Sequence, residues 1–230
     1  LMESISSTPA EALITKIEEA LATGRRSKTK IMMATTHKLD KTHFIKTFLA
    51  PLCPLTDEDI EMLVPVVEIQ TLQRGDTLLA EGQIARYVTL ITEGLLRTHI
   101  RDGRKDHTQQ FATKDDIIIP AESLFSQEPS HKIITALNET VCLNLKYEDL
   151  LALSIDNPTF HRLLILLYQA ALLREQSVAD SKHLKSAQER YRHFCKNHPA
   201  AAMYANVSHV ASFLNMAPET LSRLRSTVLL

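Results

Sequence analysis

The chain has 230 residues, 44% of them apolar and 23% charged, with a formal net charge of −1. This is the profile of a soluble globular protein with room for one large or two ordinary domains. Three scattered cysteines, Cys53, Cys142 and Cys195, argue for reduced thiols in a cytoplasm and are too few for an all-thiolate iron–sulfur cluster. The longest apolar run, residues 163–173, is far short of a membrane span, and no secretory signal is expected.

In chain order, residues 8–22 predict a short amphipathic helix. Thr8 caps it, Pro9 takes the first helical position and Glu11 completes a capping box, with Leu13, Ile17 and Leu21 on one face. The run "TGRRSKTK" then reads as a basic linker. A second helix is expected over 39–50, ended by "APLCP", and a third after Thr56, whose first turn places Asp57, Glu58 and Asp59 at the positive end of the helix dipole. From Val66 the pattern changes to short β-rich runs. Four of the five glycines in the chain, Gly75, Gly82, Gly94 and Gly103, punctuate this stretch. Short strands with such turns predict an antiparallel sandwich or small barrel, continued by strands near 116–120 and 132–146.

Beyond "KYEDL" the pattern is helical. A long helix is expected from Phe160 to about Lys182, and its first half (Leu163–Leu167, Ala170–Leu173) is apolar nearly all round. One face is expected to pack on the strand unit and the other on a second copy of the chain, making this a dimerisation helix. Ser186 and Glu189 form a capping box for the next helix. His193, Cys195 and His198 follow, at a spacing too loose for a metal site on a helix, so no metal is expected.

The stretch "VSHVASFLNMAPETLSRLRS" holds two short helices. Val210, Phe213 and Leu214 share one face of the first, and Ala211 is small enough to let the second approach. Asn215 suits a left-handed turn, Pro218 suits the start of the second helix, and Leu221 and Leu224 turn inward. That leaves Glu219, Thr220, Ser222, Arg223 and Arg225 on the outer face. A helix lying in a DNA major groove needs carboxylate, hydroxyl and guanidinium groups of this kind. Ser208 and His209, at the start of the first helix, are candidates for the DNA backbone. Charge agrees: from Lys182 to the end, seven lysines and arginines stand against two acids, a basic segment suited to a polyanion.

Taken together, "RGDTLLAEGQIARYVTLITEGLLRTHI", "LNLKYEDLLAL", "SAQERYRHF" and "VASFLNMAPETLSRLR" resemble the Crp–Fnr transcription regulators over residues 43–230. The resemblance implies an α+β fold. An N-terminal antiparallel β-barrel of the cyclic-nucleotide-binding-like jelly-roll type leads to a long dimerisation helix and a C-terminal winged-type helix-turn-helix. The implied units are an N-terminal extension (1–42), a sensor barrel (43–156), the dimerisation helix (157–184) and a DNA-binding domain (185–230). "E-T-L-S-R" is similar to the Fnr-branch recognition helix. By that match Glu219, Ser222 and Arg223 read bases in an inverted repeat with a TTGA-like half-site. Ala217 departs from the Thr or Ser that relatives often carry at the cap, a loss of about 1 kcal/mol.

The resemblance also implies a homodimer, contact with RNA polymerase, a cytoplasmic location and a small-molecule effector of unknown identity. The cyclic-nucleotide phosphate cassette of the family, a Gly-Glu pair followed by Arg-Ser or Arg-Thr, is missing. "DDIIIPAESLFSQEPSHKIITALNET" has no glycine and no arginine, and Lys132 and Ile133 stand where the arginine and the hydroxyl are expected. Lysine offers a point charge in place of a fork. Binding of cyclic AMP or cyclic GMP is therefore not expected, and Glu122, Ser123, Ser126 and Lys132 are the polar candidates for a different effector pocket. No catalytic constellation or P-loop is present, so no enzyme activity and no cofactor are expected. The alternative reading is a small-molecule-binding or protein-interaction module whose helix-turn-helix is vestigial.

Overall fold

The computed structural model describes residues 40–103, 105–181 and 186–228. The expected helix at 8–22 and the basic linker lie outside them. Helix α1 (Lys41–Phe44) is capped by the Asp40 carboxylate, which accepts from the Thr42 amide, and it runs on as a π-helical turn over Ile45–Leu49. Helix α2 (Asp57–Leu63) starts at a reciprocal capping box: Thr56 accepts from the Asp59 amide while the Asp59 carboxylate accepts from the Thr56 amide.

Eight strands follow among the described residues: β1 (Val67–Leu72), β2 (Thr77–Leu79), β3 (Tyr87–Glu93), β4 (Leu95–Asp102), β5 (Lys105–Thr113), β6 (Ile117–Ile118), β7 (Lys132–Ala136) and β8 (Thr140–Lys146). They form two antiparallel four-stranded sheets, ordered β1-β8-β3-β6 and β2-β7-β4-β5. Leu90, Leu143 and Leu145 of one sheet and Leu96, Ile134 and Ala136 of the other belong to one buried core.

The expected barrel is therefore a two-sheet jelly roll and not a closed cylinder, since no pairing among the described residues joins the sheets. The single residue Gly94 carries the chain from one sheet to the other. Its φ is +99°, and a side chain there would collide with the Glu139–Thr140 backbone. Only glycine meets both demands.

Helix α3 (Ala121–Ser126) lies between β6 and β7. Helix α4 (Tyr147–Asp156) leads into α5 (Pro158–Ser181), which at 24 residues is about 36 Å long. It begins two residues before the expected start. Pro158 is the first helical residue and the Asn157 side chain accepts from the Thr159 amide. Phe160, Leu163, Leu164 and Leu167 are buried in the jelly-roll core, while Ile165 and Leu172 remain exposed.

Helix α6 (Ala187–Asn197) carries the expected Ser186–Glu189 capping box. A short helix α7 (Pro199–Tyr204), which the sequence reading did not anticipate, precedes α8 (Val207–Phe213) and α9 (Pro218–Val228). No strand follows Lys146 among the described residues, so the wing expected beside the last helices is not among them.

Candidate nucleic-acid interface and effector cavity

Helix α8 buries Val210, Ala211 and Phe213, followed by Leu214. The turn after it is closed by Met216 N–H donating to Ala211 O at 3.0 Å, with Asn215 in the left-handed region at φ +49°. From α6, Arg190 Nε donates to Leu214 O at 3.0 Å and so caps the end of α8. On α9, Leu221 is buried and Leu224 packs on the same cluster. Glu219, Ser222 and Arg223 are exposed together, one turn apart, with Thr220 half-buried beside them.

The remaining candidates sit elsewhere. Arg225 turns back toward α7, its Nη2 donating to Ala202 O at 3.4 Å, and lies beside Tyr191. Ser208 is exposed at the start of α8. His209 is half-buried against the β4–β5 hairpin.

That hairpin is the seat of the C-terminal helices. Phe111 of β5 meets Phe194 of α6 and Phe213 of α8, with ring centroids 5.7 and 5.4 Å apart, and Leu95 joins the same cluster. Thr108 N–H donates to Ser212 Oγ at 3.0 Å, and that hydroxyl donates to Asp106 O at 3.3 Å. Beside them Arg97, only 3% exposed, donates from Nε to Thr108 Oγ1 at 2.9 Å and from Nη1 to Asp106 at 3.4 Å. His99 Nε2 lies 3.6 Å from the same carboxylate. Burial, with the charges of Arg97 and His99, pushes the His209 pKa down to about 4.

A second polar node lies nearby. Arg174 Nη2 of α5 donates to Asp116 Oδ2 at 3.0 Å, to Phe111 O at 3.2 Å and to His198 Nδ1 at 3.3 Å. Burial first, then the charge of Arg174, lowers the His198 pKa to about 3. Sequence reasoning missed these seam residues. Arg97 and His99 alternate with Leu96, Thr98 and Ile100 on β4, which reads as a solvated outer face; the structure covers that face with α6–α8.

A small open pocket of about 110 Å³ lies between β4, β5, β7 and α5, lined by Thr98, Gln110, Lys132, Ile134 and Val178 among others, with Glu175 and Ala179 exposed on its α5 side. Thr98 Oγ1 is buried with no hydrogen-bond partner among the described residues. Of the four effector-pocket candidates, Lys132 alone lines this cavity. Glu122, Ser123 and Ser126, with Lys132 at the rim, line a second groove outside it. Two of these serine hydroxyls are occupied: Ser123 accepts from Ala85 N–H and donates to Glu128 O, and Ser126 donates to Glu122 O.

No group of His, Cys, Asp and Glu among the described residues is arranged to hold a metal ion, and no described helix is long and apolar enough to cross a membrane.

Comparison with known proteins agrees with this geometry. Residues 69–157, from β1 to the end of α4, match the family described as "Cyclic nucleotide-binding domain". No curated protein matches the sequence. FixK2 from Bradyrhizobium japonicum superposes with a TM-score of 0.60 at 18% identity, over 71% of this chain and 84% of that one. A protein of Eubacterium rectale named for the crp/fnr family gives 0.58 at 15% identity over 74% and 82% of the two chains. A CooA mutant from Carboxydothermus hydrogenoformans gives 0.52 at 16% identity over 71% and 76%.

The chain has the Crp–Fnr fold. Within the Crp–Fnr fold the matched domain supplies both sheets, α3 and α4, and α5 carries the chain from that domain to the C-terminal helices.

Proposed function

We propose that this chain is a dimeric, sequence-specific DNA-binding transcription regulator of the Crp–Fnr type. The observation that carries the reading is the exposed rim of α9, where Glu219, Ser222 and Arg223 stand one turn apart over the buried Leu221. The two-helix unit α8–turn–α9 then acts as a helix-turn-helix, with α9 in the major groove reading a TTGA-like half-site. Residues 43–156 form the sensor, 157–184 the dimerisation helix and 185–230 the DNA-binding domain. The exposed Ile165 and Leu172 of α5 support a pairing of two copies along that helix. A chromosomal target places the protein in the cytoplasm beside RNA polymerase.

The pocket between β4, β5, β7 and α5 is the effector site in this reading. At about 110 Å³, below the roughly 300 Å³ of ordinary small-molecule pockets, it suits an effector smaller than a nucleotide. Among the described residues its lining holds one cation, Lys132, and no arginine fork or glycine cradle. The protein is accordingly unresponsive to cyclic AMP. The test is selection from random duplexes followed by mobility shift with and without cyclic AMP. Recovery of an inverted repeat, bound equally under both conditions, is the expected result. Failure to enrich any motif would favour a binding module with a vestigial helix-turn-helix.

A further inference from the structure

We propose that Arg174 is the positioning residue that ties the pocket beside α5 to the seating of the C-terminal helices. One guanidinium arm reaches three parts of the molecule: the β5–β6 turn through Asp116, the β5 backbone through Phe111 O, and the α6–α7 junction through His198.

Each partner is itself fixed. Asp116 Oδ2 also accepts from Thr113 N–H at 2.7 Å, and Asp116 O accepts from Ile91 N–H of β3 at 3.0 Å. His198 ends α6 and starts α7, its amide donating to Phe194 O and its carbonyl accepting from Ala202 N–H. Its ring stacks on Phe194 and meets Phe213 edge-on. A guanidinium cannot accept a hydrogen bond, so Nδ1 of His198 is the acceptor, the ring is neutral and its proton sits on Nε2.

The same stretch of α5 borders the cavity. Glu175, Val178 and Ala179 line it, and Val178, one turn beyond Arg174, also belongs to the cluster holding Phe194 and Phe213. An occupant that pushes on this segment of α5 therefore moves the one nitrogen, Arg174 Nη2, that holds His198. Packed contacts transmit such a shift because they have few intermediate arrangements. The physiological meaning of this link rests on the effector reading above; the link itself does not.

Hydrogen exchange on the full chain, read by mass spectrometry, tests it. Arg174→Gln is expected to speed exchange in α6–α8 and at the Thr108 amide at least tenfold, with β1, β3 and β8 unchanged. Arg174→Lys, whose ammonium sits one bond nearer the backbone than Nη2, keeps a cation beside Asp116 without the reach to His198; it gives the same regional pattern and serves if the glutamine variant does not fold. Ala179→Met, which crowds the cavity, speeds exchange in α6–α8 when Arg174 is present and adds nothing in the Arg174→Lys background. Unchanged exchange in α6–α8, equal loosening of both sheets, or a full Ala179→Met effect in the Arg174→Lys background would each overturn the proposal. A separate mobility shift that finds no DNA binding would sink the regulator reading and leave the exchange result standing.

Discussion

Phe111 of β5 and Phe213 of α8 lie 102 positions apart in sequence and meet edge-to-face, with ring centroids 5.4 Å apart and planes at 65°. Both are buried. The contact joins the strand unit to the C-terminal helices, and with Phe194 it forms a three-ring seam.

Phe111→Ala removes the central ring of that seam. Truncating a buried phenylalanine costs about 3–5 kcal/mol, and here the loss falls on the docking of α6–α8. Urea unfolding followed by circular dichroism should split into an early helical step and a later one from the sheets. A single transition with an unchanged midpoint would refute this.

The two arginines of α9 separate cleanly. Arg223→Ala should weaken binding to the selected duplex about 5- to 150-fold, the 1–3 kcal/mol of a good base contact, while weak salt-sensitive binding to random DNA survives. Arg225→Ala should leave base preference alone and lower stability, because Arg225 is spent on Ala202 O. Titrations at several salt concentrations compare them; equal loss on random and selected duplexes for Arg223→Ala would contradict base reading.

Asn215 holds φ +49° between α8 and α9. Asn215→Gly should be tolerated. Asn215→Val should destabilise the turn by about 1–3 kcal/mol, because a β-branched residue resists that conformation. Denaturant midpoints of the two variants decide it.

Acid should loosen the seam. His209 and His198 have pKa values lowered to about 4 and about 3, against about 6.5 in an unfolded chain. Both are neutral when folded, so their contribution is complete above pH 6.5. It falls as pH drops from 6.5 toward 4, where the unfolded chain binds protons that the folded one does not. The groups facing His209 are Arg97, His99 and Asp106, and those facing His198 are Arg174 and His193. Melting temperatures between pH 7 and pH 4.5 should decline, and His209→Gln should flatten part of that slope.

Leu172 is 68% exposed on α5. Leu172→Glu places a charge on the face proposed to pair with a second copy. Sedimentation should show the wild type as a dimer and the variant as a monomer with an unchanged helical spectrum.

Much of this architecture was legible because local chemistry announced it. The Ser186–Glu189 box, Pro218, the left-handed Asn215 and the inward Leu221 all follow from spacing alone. The glycine-punctuated strands predict a sandwich or a small barrel; which of the two forms depends on which strands pair across long separations, and the two-sheet form is the one found. The seam was hidden for a physical reason. A strand face carrying Arg97 and His99 looks solvated until another part of the chain covers it, and nothing in the local pattern of β4 says that α8 will do so. The placement of Arg225 was likewise out of reach, since it depends on α7, a helix the sequence reading did not foresee. The effector candidates near α3 were chosen by analogy, and the polar groups lining the cavity, Thr98 and Gln110, come from strands that read as plain core.

The lone Gly94 between β3 and β4 carries a last implication. Neighbouring residues of β4 serve opposite masters: Thr98 looks into the cavity and Arg97 out to the docked helices. Slipping the chain by one place at that stitch would exchange inside for outside, driving a guanidinium into the oily interior and stranding a hydroxyl at the docking face. The strand is thus a party wall, and evolution can redecorate neither room without disturbing the other.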